Sequence, residues 1–260
     1  MDKDFLWEHL RDLPYFRSIL RAVEAELLQK VELPHPILDV GCGDGHFASV
    51  ALDYPIDWGI DLHMPSIREA QSRKAYRAVM QANGSRLPFP DNSFSSAISN
   101  SVLEHMPELE AVLKDTSRVL NRSAIFVFTV PNPDYRDKLS FPKFLRRIRL
   151  HSLADAYERY FMWMSRTYNL LDEDEWGRLL SRVGLEIEET FRYFPPSSLH
   201  ALEWGHYFGA PCLIPRRLFG KWILAPQRWN LKWTERLVRQ YANPMSCEDG
   251  TYSYYRVRKR

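Results

Sequence analysis

Short apolar runs alternate with longer amphipathic segments through the first half of this chain. The runs lie near residues 37–40, 56–60, 78–82, 94–99 and 123–130. Compact apolar runs of this length are typical of strands that are buried on both faces of a parallel sheet. The segments between them have the length and polarity of helices. The alternation therefore predicts a doubly wound α/β sheet.

The flanking regions extend this pattern at both ends. Residues 3–30 predict one or two amphipathic helices, interrupted at Pro14. Residues 172–183 predict a helix whose acidic start favours the helix dipole, and Gly184 suits its C-terminal stop. Residues 185–193 alternate apolar and acidic positions, as in a strand near a sheet edge, and residues 251–257 predict the last strand.

A glycine-rich turn follows the first predicted strand. Gly41, Gly43 and Gly45 allow positive φ and close approach of a ligand, and a helix is expected to begin near Asp44. A tight turn without a ligand is one interpretation of this pattern. A dinucleotide-binding turn is another, but its spacing is G-x-G-x-x-G. Here the third glycine comes one residue early, and the Asp44 carboxylate would repel a diphosphate.

Further motifs follow at regular separations. The second apolar run ends in Asp61, where a carboxylate can accept both hydroxyls of a ribose. The segments Asn83–Phe94 and Val102–Met106 come next. With Ile37–Phe47, which contains L-D-V-G-C-G-D-G, these motifs resemble the class I S-adenosylmethionine-dependent methyltransferases, in particular their small-molecule branch. The resemblance covers about residues 37–191 and the last few residues.

The resemblance implies a seven-stranded, mostly parallel, Rossmann-like sheet with an antiparallel last strand between the fifth and sixth, and S-adenosylmethionine as the cofactor. It also implies the cofactor-binding residues: Asp39, Gly41, Cys42 and Gly43 for the methionine end, Asp61 for the ribose, Leu62, Asn83 and Gly84 for the adenine, and Asn100 beneath the sulfonium. Asn83 departs from the family, which usually has an aspartate there. It keeps an acceptor oxygen but loses the charge.

Catalytic residues are harder to predict, because a methyl group on a sulfonium is already activated and positioning supplies most of the rate. His105 is the candidate general base, although a histidine there can equally orient the loop or cap a helix. Tyr15 and Tyr135 are candidates for the acceptor pocket. Residues 132–135 resemble the Asn-Pro-Pro-Tyr loop of amino-methylating DNA enzymes, but they follow the fifth strand instead of the fourth. The sequence therefore argues against a base-flipping enzyme.

Composition agrees with one α/β domain that carries attachments. The chain has 260 residues, of which 45% are hydrophobic, and a net charge of +2, which does not demand nucleic acid. Three widely spaced cysteines form no metal site and suggest a reducing compartment. We expect a cytoplasmic protein with an N-terminal helical cap at 1–35 and a methyltransferase domain at 36–260. Insertions are expected at about 133–170 and 195–247.

Both predicted insertions are basic. Residues 136–151 and 195–247 each have a net charge of +5. The second also contains eight aromatic side chains: Trp204, Tyr207, Phe208, Phe219, Trp222, Trp229, Trp233 and Tyr241. The favoured interpretation is that they pack a small helical cap onto the domain. Peripheral contact of 195–247 with an anionic membrane is the alternative, and nucleic-acid binding ranks below it.

The sequence thus predicts an S-adenosylmethionine-dependent methyltransferase that acts on a small-molecule, sugar or lipid-linked acceptor. Two alternatives remain at this point. One is a catalytically inactive protein of the same fold that binds the cofactor and a partner. The other is a nicotinamide-dependent oxidoreductase, disfavoured by Asp44 and by the glycine spacing.

Overall fold

The computed structural model describes residues 3–260 and is built on one seven-stranded sheet. The strands are β1 (Ile37–Val40), β2 (Ile56–Asp61), β3 (Tyr76–Gln81), β4 (Phe94–Asn100), β5 (Leu120–Pro131), β6 (Leu185–Tyr193) and β7 (Tyr252–Lys259). Their order is β3-β2-β1-β4-β5-β7-β6. Strands β1 to β5 pair in parallel, and β7 is antiparallel to both of its neighbours. This confirms the predicted sheet and the place of its last strand.

Helices cover both faces of the sheet. In the described residues they are α1 (Phe5–Leu10), α2 (Tyr15–Gln29), α3 (His46–Ala51), α4 (Met64–Ser72), α5 (Leu109–Val119), α6 (Asp134–Asp137), α7 (Ser140–Arg147), α8 (His151–Ser165), α9 (Glu173–Arg182), α10 (Pro196–Phe208), α11 (Leu213–Phe219) and α12 (Arg228–Val238). Short 3₁₀ segments lie at Leu103–His105, Ala210–Cys212 and Arg239–Tyr241. As predicted, Pro14 separates the first two helices: its ψ of 145° is extended and not helical.

The core is divided by the sheet into two layers, because alternate residues of a strand point to opposite faces. On β5, Ile125 and Val127 pack with α1, α2, α3 and α10, whereas Phe126 and Phe128 pack with α5 and α9. Trp176 of α9 lies against Phe128, with a ring-centroid distance of 4.9 Å. The strands are therefore held from both sides, and their carboxyl ends form a fixed platform for a site.

Several element boundaries differ from the predictions. The helix after the glycine turn begins at His46, because Gly45 precedes it in the left-handed region (φ +72°) and leaves Asp44 outside. Strand β5 begins at Leu120, before the predicted 123, and β3 spans 76–81 where 78–82 was predicted. The helix predicted at 172–183 is α9, with Asp172 as its N-cap in a reciprocal capping box with Glu175.

The two predicted insertions are mainly helical. Residues 133–170 contain α6, α7 and α8, and residues 195–247 contain α10, α11 and α12. The favoured interpretation of the aromatic residues in 195–247 holds only in part: Tyr241 packs against the core and Trp204 against Phe141, but none of the eight is buried. Six of them are exposed, among them Trp229 at 75% and Trp233 at 67%. Within residues 3–260, no helix has the length and apolar character needed to cross a membrane.

Candidate functional site

A cleft of about 1090 Å³ opens where β1, β2, β3 and β4 end. β1 and β4 are neighbours at the point where the strand order reverses, which is where open α/β sheets bind ligands. All nine residues predicted to hold the cofactor line this cleft: Asp39, Gly41, Cys42, Gly43, Asp61, Leu62, Asn83, Gly84 and Asn100. The fold thus brings together residues from four separate loops.

The glycine turn after β1 leaves the base of the cleft free of side chains at Gly41 and Gly43. Gly41 has φ +87°, and a Cβ there would lie 2.4 Å from Cγ1 of Val102. Gly43 has φ +55°, and a Cβ there would meet no atom within 4 Å, so it would project into open space. The backbone at both positions needs glycine, and a ligand can approach the turn closely.

Asp61, at the end of β2, is fixed by the backbone of two loops. Its Oδ2 accepts a hydrogen bond from the amide of Gly43 at 3.0 Å, and its Oδ1 accepts one from the amide of His63 at 2.8 Å. Each carboxylate oxygen retains a further lone pair that can accept a ligand hydroxyl. Asp61 therefore joins the glycine turn to the adjacent loop and can accept hydrogen bonds from a ribose.

Asp39 is the buried acidic residue of the cleft. Its Oδ2 accepts a hydrogen bond of 2.6 Å from the hydroxyl of Tyr76. Burial raises the pKa of Asp39 to about 7; the Tyr76 hydrogen bond opposes this rise and the nearby Asp61 adds to it. Half of the Asp39 carboxyl groups are thus neutral near pH 7, and a cationic ligand group would favour the ionised form.

The predicted adenine residue Asn83 is engaged within its own loop. Its Oδ1 accepts a hydrogen bond from the amide of Ser85 at 3.0 Å, which orders the turn after β3. The oxygen keeps a second lone pair, so an amide at this position still offers an acceptor to a ligand.

Asn100, at the end of β4, belongs to a buried network centred on Glu24 of α2. Glu24 accepts hydrogen bonds from Asn100 Nδ2 at 2.7 Å, from Ser101 Oγ at 2.6 Å and from Tyr193 Oη at 3.0 Å. Thr129 Oγ1 donates to Asn100 Oδ1 at 3.1 Å. Burial raises the pKa of Glu24, and its three hydrogen bonds oppose the rise. The network fixes the side chains that form the cleft wall.

A second cavity of about 440 Å³, the inner chamber, adjoins the cleft. Its apolar wall includes Phe16, Leu20, Tyr135, Leu202 and Tyr252. The predicted acceptor-pocket residue Tyr135 is therefore in place, whereas Tyr15 lines neither cavity. The residues that line both cavities are Arg17, Arg21, Asn100, Ser101, His105, Met164, Ser165 and Trp222.

Glu104 places a buried carboxyl group at the inner chamber. It is 3% exposed, and its Oε2 has no hydrogen-bond partner among the described residues. Burial raises the pKa of Glu104 to about 8; a backbone amide opposes the rise and the charge of Glu24 adds to it. An unpaired buried carboxyl group is costly unless a ligand pairs with it.

His105, the predicted catalytic candidate, lies between the two cavities. Its Nδ1 is 2.9 Å from the carbonyl oxygen of Arg166, and its Nε2 is 3.8 Å from Oε1 of Glu104. Burial lowers the pKa of His105, and the Arg166 carbonyl opposes this. One ring nitrogen is thus used to hold the loop after α8, as in the loop-orienting interpretation, and the other is near Glu104.

Basic side chains face the acidic wall of the cleft. Arg17 and Arg21 of α2 and Arg216 of α11 line it together with Trp222. The guanidinium carbons of Arg17 and Arg216 lie 5.6 Å and 5.8 Å from the ring centroid of Trp222. Trp222 therefore lies within cation–π distance of two arginines, and the segment after α11 contributes to the wall of the cleft.

Asp44 also lines the cleft. Burial acts to raise the pKa of Asp44, but the positive charge of Arg21 and the amide of His46 outweigh it and hold this pKa below its usual value. The carboxylate is ionised at neutral pH and would repel a diphosphate, which argues against nicotinamide dinucleotides.

Sequence reasoning did not single out Glu24, Glu104, Arg17 or Trp222 as site residues. Glu24 had a detectable signal, because the residues that share its side of α2, Leu20, Leu27 and Leu28, are apolar. A lone glutamate on the apolar side of a helix must find partners in the core or lie in a cavity.

The residues present suit a nucleoside that carries an amino acid and a cationic sulfur. The open space above Gly43, the acceptor atoms of Asp61 and the mixed charges of Asp39 and Arg21 match the ribose, the ammonium and the carboxylate of S-adenosylmethionine. A model of the family described as "Methyltransferase domain" matches residues 38–128, which contain the glycine turn and Asp61. Residues 38–128 therefore form a methyltransferase domain, and the match supports the class I S-adenosylmethionine-dependent methyltransferase family. S-adenosylmethionine is the cofactor of this family.

Similar proteins include named methyltransferases and an uncharacterised protein. The chain is 36% identical over 123 residues to an uncharacterised protein of Methanocaldococcus jannaschii, covering 46% of this chain and 47% of that protein. It is 26% identical over 137 residues to a malonyl-[acyl-carrier protein] O-methyltransferase of Legionella pneumophila, covering 49% of this chain and 48% of that protein. The chain thus spans about half the length of these curated relatives. A SAM-dependent methyltransferase structure from Thermotoga maritima has the same fold (TM-score 0.55, 16% identity, 93% and 89% covered).

The raised pKa of Asp39 predicts a pH-dependent affinity for the cofactor product S-adenosylhomocysteine. If the ligand ammonium pairs with ionised Asp39, binding below pH 7 must first remove the proton, and affinity falls by up to about tenfold per pH unit. Calorimetry in two buffers of different ionisation enthalpy should show proton release at pH 6 and little at pH 8.5. Asp39→Asn should remove that release, and an unchanged release in this variant would assign the proton to another group.

Proposed function

We propose that this protein transfers a methyl group from S-adenosylmethionine to a small acceptor held in the inner chamber. The observation that carries the proposal is the continuity of the two cavities, which share the side chains of Asn100, Ser101 and His105. A molecule in the inner chamber is thereby placed next to the cofactor cleft, as positioning catalysis requires.

The chemistry of the inner chamber favours an acceptor with an apolar body and a hydroxyl, carboxyl or amino group. Aromatic and leucine side chains suit the apolar part, and the unpaired Oε2 of Glu104 suits the polar part. The volume of about 440 Å³ is that of a small-molecule pocket. The Legionella relative, whose name states methylation of oxygen on an acyl group carried by a protein, supports oxygen as the methylated atom and a carrier- or lipid-linked acceptor.

Different residues of this chain would position the acceptor and transfer its proton. When bound, S-adenosylmethionine supplies a methyl group activated by a positively charged sulfur. Glu104, with a pKa of about 8, donates a hydrogen bond when protonated and accepts the proton of the acceptor heteroatom when ionised. His105 holds the loop at Arg166, and Glu24 fixes Asn100 and Ser101 between the two cavities. Tyr135 and Tyr252 supply buried aromatic wall for the acceptor.

Label transfer tests this function. The protein is incubated with methyl-labelled S-adenosylmethionine and, separately, with water-soluble metabolites and with a lipid extract. We expect one fraction to become labelled, with a rate that rises between about pH 7 and 9 as Glu104 ionises. Glu104→Gln should lower the rate by about 10²-fold or more and remove that rise, while S-adenosylhomocysteine binding is preserved.

The control is Glu110→Gln, which removes a carboxylate of α5 that is exposed and paired with Arg182 at 3.1 Å. It should leave label transfer unchanged. Binding of S-adenosylhomocysteine without labelling of any fraction would contradict the proposal and favour the inactive, cofactor-binding alternative.

A further inference from the structure

α12 directs its apolar side chains toward solvent. Trp229, Trp233 and Leu237 recur every four residues and are 75%, 67% and 65% exposed. Leu231 and Val238 are the buried residues of α12 and lie on the opposite side of the helix. In a helix that only covers a domain, the apolar stripe faces inward. Here the larger apolar stripe faces outward.

The charged groups on the exposed side of α12 are all basic. Arg228, Lys232 and Arg236 border the stripe on one side, and the guanidinium carbon of Arg236 lies 6.0 Å from the ring centroid of Trp233. Lys232 and Arg236 form no ion pair with any residue from 3 to 260. The one acid of the helix, Glu235, is largely buried and paired with Arg239 at 2.5 Å. The charges of Lys232 and Arg236 are thus available to an anionic partner, whereas Arg228 lies 3.9 Å from Asp4 Oδ2.

The preceding helix has the same character. α11 buries none of its residues, and Leu213, Ile214, Leu218 and Phe219 are 56–67% exposed. The segment from 195 to 247 carries a net charge of +5 in a chain whose total is +2. Exposed tryptophan with leucine, next to lysine and arginine, is the composition that lies at the headgroup level of anionic bilayers.

We propose that the outward faces of α11 and α12, the docking surface, bind an anionic lipid bilayer peripherally. Charge argues against a second copy of this chain as the occupant, because it would bring the same positive charges into contact. The docking surface is also connected to the cleft. Trp222, which follows α11, lines both cavities, so the segment that joins the two helices also forms part of the cavity wall. The proposal concerns membrane binding and holds for any acceptor.

Flotation with vesicles tests the docking surface. We expect the protein to float with vesicles of phosphatidylcholine containing 40% phosphatidylglycerol, and to remain at the bottom with pure phosphatidylcholine. Lys232→Glu/Arg236→Glu should lower the partition coefficient at least tenfold, since each basic residue near an anionic surface contributes about fivefold. Trp229→Ala/Trp233→Ala should lower it by a similar factor. Both double variants change exposed residues, so their melting temperatures should match the wild type.

Two controls separate the docking surface from general effects. Lys30→Glu/Arg182→Glu changes the total charge equally on exposed side chains, at the residue that follows α2 and on α9, and should float like the wild type. Tyr54→Ser, which removes an exposed aromatic elsewhere, should also float like the wild type. Wild-type protein that stays at the bottom with anionic vesicles overturns the proposal. So does equal flotation of the wild type and both docking-surface variants. A dimer in solution that these variants disrupt would assign the surface to a second copy of the chain.

Discussion

Asp61→Ala is expected to weaken S-adenosylhomocysteine binding by at least about 10²-fold. One carboxylate oxygen accepts a hydrogen bond from the Gly43 amide at 3.0 Å, and the other accepts one from the His63 amide at 2.8 Å. Each oxygen keeps a lone pair for a ribose hydroxyl. Each hydrogen bond from a ligand to a charged group contributes about 1.5–3 kcal/mol. Losing two gives about 3–6 kcal/mol, or 10²–10⁴-fold, and the Gly43 turn also loses its tether. Titration calorimetry measures the change.

A matched control is Asp53→Ala, because Asp53 precedes β2 whereas Asp61 ends it. Asp53 is exposed and paired with Lys3 at 2.9 Å, and it does not line the cleft. Its removal should leave the affinity unchanged within about twofold. Asp61→Asn keeps an acceptor oxygen, so its affinity for S-adenosylhomocysteine should lie between those of Asp53→Ala and Asp61→Ala. If Asp61→Ala binds S-adenosylhomocysteine like the wild type, the cleft does not hold the ribose at Asp61 and the proposed function loses its cofactor site.

The sequence predicted the parts of the site that depend on local patterns. The glycine turn directly follows β1, and Asp61 and Asn100 are the last residues of β2 and β4, so the strand pattern and the topology of a doubly wound sheet place them at one edge. The predicted ends of helices and strands were wrong where the backbone conformation of single residues determines the boundary. Gly45, for example, takes a left-handed conformation and delays the start of α3 to His46.

The parts that the sequence missed depend on contacts between distant segments. Glu24 is bonded to Asn100, 76 residues away, and to Tyr193, 169 residues away. Glu104 belongs to a motif that was recognised, but nothing in a linear pattern indicates that one of its oxygens lacks a partner.

The aromatic residues of 195–247 show a different limit of sequence patterns. The sequence pattern predicted a small helical cap here, and in the structure Trp229 and Trp233 share one face of its helix α12. The pattern cannot say whether the face is covered by the same chain. In this structure the smaller stripe, Leu231 and Val238, is the one that packs inward. An amphipathic pattern therefore predicts a helix more safely than it predicts what covers the helix.

Glu24→Ala is expected to lower the free energy of unfolding by about 2–4 kcal/mol. The substitution removes the acceptor of three donors, on Asn100, Ser101 and Tyr193, and each buried unsatisfied donor costs about 1–3 kcal/mol. Part of the loss is recovered, because burial of the Glu24 carboxyl is itself unfavourable, as its raised pKa shows. For a chain of this size the melting temperature should fall by roughly 5–15 °C, which calorimetric scanning measures.

The same helix provides the control for this effect. Glu26 is partly exposed and paired with Lys30 at 3.6 Å, so Glu26→Ala should change stability by less than about 0.5 kcal/mol. Glu24→Gln keeps one acceptor oxygen, so its free energy of unfolding should fall by less than half as much as that of Glu24→Ala. A loss of stability in Glu24→Ala no larger than in Glu26→Ala would show that the network does not stabilise the fold.

Because Ser101 has φ +50° and lines the cleft beside Asn100, Glu24→Ala should also weaken S-adenosylhomocysteine binding at temperatures where the variant is fully folded. Glu24 would thereby link the stability of the sheet edge to the geometry of the cofactor site.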